Sequence, residues 1–245
     1  MTTKNSSINN DIIDVQVAPY LTSIISSEKV AAPILDNSYE ANYKKPRRKV
    51  EPITKAEHID LIKRYLLAAH GRGNSNIRNY TYFVLSLNFA RRGGDMVGLR
   101  VCDVLNEDGS FKKHVVMREQ KTGVGSEIPI LRPCIEALTM YFNTIGSYKM
   151  SDWLFPNVKK TAEHISVDGM RIMLKRTVAT LGLDIRIGTH SLRKTFAYWA
   201  IKNARSVEDE VMVSQYLRHY NLKTTYHYIG RSQQELDDFV AANAL

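Results

Sequence analysis

From residue 54 onward, apolar residues recur at helical spacing in one stretch after another, and residues 100–130 interrupt this pattern. The spacing predicts helices over residues 54–71, 76–90, 133–144 and 167–181, one that begins at Thr189, and one that begins at Ser232. Capping boxes are predicted to open the first and the last of these helices, at Thr54 to Glu57 and at Ser232 to Glu235. Such a chain folds mainly as packed helices.

The interruption predicts a small sheet. Its shorter runs are typical of strands at residues 100–105, 114–119 and 127–130, joined by turns at residues 106–109 and 121–125. We therefore predict an α+β fold that is mainly α-helical, with a small antiparallel three-stranded sheet. Lys121 is expected on the second turn. A mobile loop there would let its ammonium reach the oxygen that leaves in a cleavage reaction.

A set of basic and imidazole side chains that ends on a tyrosine suits chemistry on a phosphodiester. Guanidiniums grip phosphate oxygens in pairs, imidazoles and amines move protons, and a phenolic oxygen can form a covalent intermediate. No cluster of Asp and Glu accompanies the set, which argues against a two-metal nuclease. We expect a site without a metal or a cofactor. Its members are Arg92, Lys121, His190, Arg193, His219 and Tyr228.

The segments around these residues resemble the boxes of the tyrosine recombinases, also called the phage integrase family. Each segment alone is weak evidence, but four in the correct order rarely occur by accident. The resemblance covers about residues 50 to 245. It rests on Phe89 to Arg100 (first arginine box), Gln120-Lys121-Thr122-Gly123 (lysine β-turn), Thr189 to Phe196 (His-x-x-Arg box) and Leu217 to Gly230, where the tyrosine follows the histidine by nine residues.

The resemblance implies a tyrosine recombinase catalytic fold in which Arg92, Arg193 and His219 stabilise the charge of the transition state. Asp95, three residues after the first arginine, would support the site. Two positions depart from the family pattern, since family members often have Glu where Asp95 stands and Gly where Arg218 stands. Both departures are interpreted as variation within a working enzyme.

The resemblance also implies the covalent steps. Tyr228 would attack the scissile phosphate, giving a 3′-phosphotyrosyl bond and a free 5′-hydroxyl. His190 would accept the tyrosine proton, and Lys121 would protonate the leaving oxygen. Because the covalent bond stores the phosphodiester energy, rejoining needs no ATP.

Two assignments have rivals. Arg91 and Arg92 are adjacent, and the family spacing favours the second. Tyr220 and Tyr226 compete with Tyr228 for the role of nucleophile, and only the family spacing from the preceding histidine favours Tyr228.

The charge distribution agrees with a DNA partner. The formal net charge is +9, and residues 1–43 carry a net charge of −3, which leaves +12 for residues 44–245. A basic surface attracts a phosphate backbone through counterion release, although it also fits RNA or an anionic membrane. Candidate DNA contacts lie in a basic run and on one helix face, and each reads equally well as ordinary solvated surface. They are Lys44, Lys45, Arg47, Arg48, Lys49, Arg171 and Lys175.

Neither a membrane span nor a signal peptide is evident in the sequence. No apolar run approaches the roughly 18 residues that a span needs, and the N-terminus lacks the order of a signal peptide. We expect no membrane partner and a cytoplasmic location, associated with the nucleoid if the cell is prokaryotic. Cys102 and Cys134 are too few to staple this fold and are expected to be reduced.

Three regions are predicted along the chain. Residues 1–43 form a tether or a small docking segment, residues 44–52 a basic linker, and residues 53–245 the catalytic domain. About 43 residues are too few for the separate helical domain that many family members carry ahead of the catalytic one.

The expected function is site-specific recombination of double-stranded DNA, whether integration, excision, inversion or resolution. The resemblance implies a homotetramer on paired sites, and the apolar stripe of the last helix, Leu236, Phe239 and Val240, is predicted to dock on the next protomer. Two alternatives stay open: a type IB topoisomerase-like relaxing enzyme, and a non-catalytic DNA-binding regulator on the same fold.

Overall fold

The computed structural model describes residues 49–68, 74–118, 123, 125–160, 162–230 and 241–242. These residues contain α1 (Ala56–Leu67), α2 (Ser75–Phe89), α3 (Gly93–Val97), α4 (Val101–Val104), β1 (His114–Arg118), β2 (Gly125–Pro129), α5 (Arg132–Ile145), α6 (Val167–Thr180), α7 (Thr189–Lys202), α8 (Val207–Tyr216) and α9 (Leu222–Ile229). The mainly helical architecture with a small antiparallel sheet is confirmed.

The sheet has two strands in the described residues, not three. β1 and β2 pair antiparallel, with Val115 opposite Ile128. Burial alternates along both strands, so one face of the hairpin packs on the core and the other faces solvent.

The predicted first strand, residues 100–105, is wrong. Val101–Val104 form the short helix α4, because the Asp103 carboxylate accepts the Arg100 N–H at 2.7 Å and closes a helical turn. Only isolated bridges flank this turn, from Arg100 to Trp153 and from Leu105 to Phe111. Apolar spacing alone did not distinguish one buried helical turn from a short strand.

The first capping box is also wrong. α1 begins at Ala56, and neither Thr54 nor the N-cap Lys55 forms the predicted side-chain cap. The preceding chain is extended because Ile53 bonds α7 at both its N–H and its carbonyl, through Thr195 Oγ1 at 2.8 Å and Trp199 Nε1 at 3.0 Å. The other predicted helices are confirmed to within two residues, whereas the capping box at Ser232 lies outside the described residues.

Two apolar clusters hold the described chain together. The larger one, the main core, centres on α2, whose Tyr82, Phe83, Leu85 and Phe89 are fully buried between α1, α5 and α7. The smaller one, the distal core, lies where α7, α8 and α9 meet and consists of Ala90, Ala197, Ile201, Leu217 and Ile229 with half-buried aromatic neighbours. The predicted site residues are divided between these clusters.

Two further predictions concern the chain as a whole. Cys102 and Cys134 are both free thiols, as expected, and Cys134 is buried. No helix in the described ranges is both long and apolar enough to cross a membrane.

Candidate active site

The adjacent arginines that follow α2 face different surroundings. Ala90 ends α2 in the left-handed conformation, with φ of 52°, so the chain turns sharply before them. Arg91 is buried, donates from Nη1 to the carbonyl of Tyr216 at 2.8 Å, and stacks 4.6 Å from the centroid of the same residue's ring. Arg92 is half-buried at the start of α3, and its charge acts on both imidazoles of the predicted set. Arg91 therefore holds α8, and Arg92 faces the site.

Arg193 joins two helix ends. Its buried guanidinium donates to the carbonyl of Ala90, at 2.9 Å, and to that of Leu217. These carbonyls terminate α2 and α8, where a cation is favoured by the helix dipoles. His190 lies three residues earlier on α7 and so projects toward the same side, where it is partly exposed to solvent.

Backbone strain coincides with these two carbonyls. The described non-glycine residues with positive φ are Ala90 and Arg218, each at 52°, and Arg218 directly follows Leu217. A left-handed conformation costs a residue with a side chain roughly 1–2 kcal/mol. A glycine at position 218 would avoid that cost. Here the Arg218 side chain instead donates to the carbonyl of Gly125, at the start of β2.

His219 follows this strained turn and contacts the predicted nucleophile. Its Nδ1 lies 2.9 Å from Thr225 Oγ1, and its ring meets the Tyr228 ring edge-on, with centroids 4.9 Å apart. Burial, followed by the charges of Arg193 and Arg92, lowers the pKa of His219 to about 4. The imidazole is therefore neutral at pH 7.

Tyr228 is half-buried on α9, and its hydroxyl oxygen is inaccessible to solvent. No described side chain meets hydrogen-bond geometry with this oxygen, although the Arg193 guanidinium lies close enough to act on it. Burial raises the pKa of Tyr228, and the charges of Arg193 and Arg92 oppose the rise. The pKa of His190 is lowered by partial burial and then by the charges of Arg193, Arg92 and Lys194.

The rival tyrosines lie elsewhere. Tyr226 donates its hydroxyl proton to the Glu210 carboxylate on α8. Tyr220 is 97% exposed. The structure thus brings Tyr228, rather than Tyr226 or Tyr220, to the two arginines and His219.

Gly93 lets the segment that carries Arg92 pack closely against α6 and α7. A Cβ on Gly93 would lie 2.9 Å from Thr189 Cβ and 3.2 Å from a Val167 methyl, so only glycine lets α3 approach α6 and α7 this closely. Asp95 is buried one turn further along α3. Arg92 is consequently held beside the start of α7.

Several predicted residues are not part of this cluster or cannot be placed in it. Arg171 pairs with Asp168 at 2.6 Å on α6, and Lys175 is exposed. Neither forms a hydrogen bond or ion pair with the basic set in the described part of the chain. Lys49 Nζ lies 3.1 Å from His227 Nε2. Outside the described residues lie Lys44, Lys45, Arg47, Arg48 and Lys121.

Three contacts of the site were missed in the sequence. Lys194 Nζ lies 5.3 Å from the centroid of the Tyr228 ring. Its place directly after the His-x-x-Arg box was a usable signal. Thr225 beside His219, and Tyr216 beside Arg91, gave no signal, because only the fold brings α8 and α9 to these partners.

Comparison with known proteins identifies the family. The family model described as the phage integrase family matches residues 59–235. The chain belongs to the phage integrase family. The probable integrase/recombinase YoeC of Bacillus subtilis is 32% identical over 181 residues, which make up 74% of this chain and 90% of YoeC.

Solved recombinase structures share the fold of this integrase-family chain. XerA recombinase aligns with a TM-score of 0.59 and 16% identity, over 82% of this chain and 67% of XerA. XerH recombinase, bound to a palindromic difH substrate, aligns with a TM-score of 0.61 and 16% identity, over 80% of this chain and 53% of XerH. The chain thus spans about half the length of XerH. Family and fold support a tyrosine-type site-specific recombinase, and none of these likenesses favours the relaxing enzyme or the regulator.

Proposed function

We propose that this chain cleaves and rejoins a double-stranded DNA recombination site through a 3′-phosphotyrosyl intermediate on Tyr228. The observation that carries the proposal is the position of the buried Tyr228 hydroxyl, beside Arg193 and under the charge of Arg92. A phenol removed from water and flanked by guanidiniums is suited to attack a phosphate that the same guanidiniums bind.

Arg92 and Arg193 stabilise the charge of the pentavalent transition state. Arg193 is pre-oriented by its bonds to two helix-end carbonyls, so little rearrangement accompanies phosphate binding. His219 contributes as a neutral hydrogen-bond donor. If Thr225 donates to Nδ1, the proton resides on Nε2, which is then available to a phosphate oxygen. Asp95 supports the position of Arg92 from within α3.

Two proton transfers accompany cleavage. His190, kept neutral at pH 7 by its lowered pKa, accepts the proton of Tyr228 as the phenolic oxygen bonds to phosphorus. The bond from phosphorus to the 5′-oxygen breaks, and Lys121 donates the proton that this oxygen takes up. Rejoining reverses both transfers.

Assembly and organisation are parts of the same proposal. Four copies act on paired sites, and the stripe Leu236, Phe239 and Val240 docks on the next protomer. Support comes from the small size of the distal core around α9, which a neighbouring subunit would complete.

Residues 53–245 act as the catalytic domain, residues 44–52 as the basic linker, and residues 1–43 as a tether or docking segment. A chromosomal or element-borne DNA site implies action in the cytoplasm, at the nucleoid if the cell is prokaryotic.

Covalent capture tests the nucleophile and selects the DNA sequence in the same experiment. The protein is incubated with a pool of nicked duplexes of random sequence, and DNA that becomes attached to protein is sequenced. Wild type and Tyr226→Phe should each form a 3′ adduct, whereas Tyr228→Phe should form none and still bind DNA. An adduct that depends on Tyr226 would contradict the assignment.

The proton donor is tested with a captured sequence. Lys121→Ala should cleave slowly, and a substrate with a 5′-bridging sulfur should restore its rate, because a thiolate leaves without a proton. If the sulfur substrate gives no rescue, another group is the acid.

Deletion of residues 232–245 tests assembly. The truncated protein should bind one site normally and lose synapsis and strand exchange. Normal recombination by the truncated protein would disprove the docking role, and a full-length monomer that only relaxes supercoils would favour the topoisomerase alternative.

A further inference from the structure

Three basic side chains outside the catalytic set meet beside Tyr228. Lys194 Nζ lies 5.3 Å from the centroid of its ring, and His227 precedes it on α9. Lys49 reaches His227 from the chain ahead of α1, with Nζ 3.1 Å from Nε2. All three line one open cavity of about 1520 Å³.

The positive charge of this cluster is only partly balanced by nearby acids. No carboxylate in the described ranges lies within ion-pair distance of Lys49 or Lys194. Of the acids that line the cavity, Glu51 is paired with Arg186, Asp184 acts on the same guanidinium, and Glu210 accepts from Tyr226. Burial, followed by the charge of Lys49, lowers the pKa of Lys194. The charge of Glu51 opposes this lowering only in part, so the repulsion between the two ammoniums remains. An anion between them would remove this repulsion.

The fold holds the cluster in place. Lys49 belongs to an extended segment that is tied to α7 by both backbone groups of Ile53. The same segment is tied to Arg186 by the Glu51 backbone N–H and side chain. Lys194 follows Arg193, whose own bonds fix that part of α7. An ammonium has three donors, and His227 takes one from Lys49, which leaves capacity for an oxyanion.

We propose that Lys49, Lys194 and His227 form a second phosphate-binding site, which takes a DNA phosphodiester next to the one that Tyr228 attacks. The proposal rests on the proposed function of the same site. A DNA strand carries one charge per about 3.4 Å of helix axis. Lys194, within 5.3 Å of the nucleophile's ring, is therefore within reach of an adjacent phosphate. The site would anchor the cleaved strand on the linker as well as on α7 and α9.

Salt dependence provides the first arm of the test and needs no cleavage. Binding of a random-sequence duplex is measured across salt concentrations for wild type, Lys49→Met, Lys194→Met and the control Lys202→Met. Lys202 lines the same cavity but lies two turns further along α7, where its ammonium packs against the rings of Trp199 and Tyr198 and not against Tyr228. A plot of the logarithm of the binding constant against the logarithm of the salt concentration has a negative slope. The magnitude of this slope should fall by about 0.9 for each of the first two variants. It should stay at the wild-type value for the control.

Backbone neutralisation provides the second arm. A single methylphosphonate is placed at successive positions around the scissile phosphate of a duplex obtained by covalent capture. At one position next to the scissile phosphate, the methylphosphonate should weaken DNA binding by wild type and by Lys202→Met several-fold. The same substitution should not weaken binding by Lys194→Met any further. Thermal unfolding of each variant checks that it is folded.

The outcomes separate the second site from the proposed function. If Tyr228 forms no adduct but the salt slopes fall as expected, the phosphate site stands and the recombinase mechanism fails. If the adduct forms but the slopes match wild type, or every methylphosphonate affects Lys194→Met as it affects wild type, the second site is refuted. If a variant changes assembly but not the salt slope, an acidic protein segment and not DNA occupies the cavity, and the proposal is also refuted.

Discussion

The main core and the distal core differ in size and in the predicted catalytic side chains that they support. The main core surrounds α2 and α3, and so fixes Arg92 and Asp95. The distal core contains few fully buried residues, and its rim includes Tyr226 and Tyr228 themselves. α9 packs chiefly on α7 and α8. Because local opening is easiest where few apolar contacts are buried, we expect the half that carries Arg92 to be the rigid half and Tyr228 to stand on the half that opens more readily.

Replacing Arg193, which joins the end of α2 in the main core to the end of α8 in the distal core, should have the largest effect. Arg193→Met removes the proposed transition-state donor and leaves the carbonyls of Ala90 and Leu217 without its hydrogen bonds. We expect at least about a 100-fold loss of cleavage rate and about 1–3 kcal/mol of stability lost per stranded carbonyl. Single-turnover cleavage and urea unfolding measure these effects. Arg205→Met, at an exposed position, is the control and should change neither.

Truncation in each core tests the comparison directly. Leu85→Ala in the main core should cost about 2–5 kcal/mol of global stability. Ile229→Ala in the distal core should cost about 1–2 kcal/mol, since its site is smaller and closer to solvent. Hydrogen exchange should show faster opening confined to α8 and α9 in the second variant. Equal and global acceleration in both variants would mean that the two cores unfold as one.

The packing of α3 is tested by a pair of glycines. Gly93→Ala places a methyl group against Thr189, and we expect a loss of about 1–3 kcal/mol. Cleavage should slow as Arg92 shifts. The matched control is Gly125→Ala, where a Cβ meets nothing within 4 Å. Calorimetry that shows equal melting temperatures for the two variants would show that α3 has room to move.

The pH dependence of stability should report on His219. Its pKa in the folded protein is about 4, below the ordinary value of 6.5, so unfolding takes up a proton between these pH values. The stabilisation is complete above pH 6.5 and is lost as the pH falls toward 4. The lowered pKa of His190 acts in the same direction. Urea unfolding at pH 7 and pH 5 should show a smaller difference for His219→Gln than for wild type, and an unchanged difference would place the effect elsewhere.

The smallest expected effect concerns the partner of His219. Thr225→Val removes the hydroxyl at Nδ1 and leaves the shape nearly unchanged, so cleavage should fall by about fivefold, equivalent to one hydrogen bond of about 1 kcal/mol. Thr225→Ser keeps the hydroxyl and should retain the wild-type rate. If valine and serine behave alike, Thr225 does not set the tautomer.

The sequence predicted most of the architecture because strong periodicity and box spacing are local signals. The helices at residues 75–89 and 167–180 and the start of α7 follow from such signals, and so does the order of the basic residues. The strand predicted at residues 100–105 failed because four residues are too few to distinguish period two from a helical turn. Thr54 failed because bonds of Ile53 to α7, 142 and 146 residues away, override local capping.

Within the candidate site, the sequence predicted which residues belong to it, but it did not show which of two neighbouring residues of the same type faces the site. The two adjacent arginines became distinct only when the fold placed Tyr216 beside Arg91. Tyr226 and Tyr228 separated in the same way, through the Glu210 carboxylate. Such distinctions depend on contacts between residues far apart in the chain, which a single sequence does not encode as a pattern.

The hydrogen bond from Arg218 to the carbonyl of Gly125 limits which segments of this enzyme can be exchanged with those of its relatives. It makes the turn before His219 and the hairpin that flanks Lys121 an interdependent pair. A chimaera that imported residues 207–230 from a relative with glycine after the end of α8 would relieve the backbone strain at position 218 and release the hairpin at the same time. Exchanging residues 114–129 together with residues 207–230 would move both partners and preserve their match.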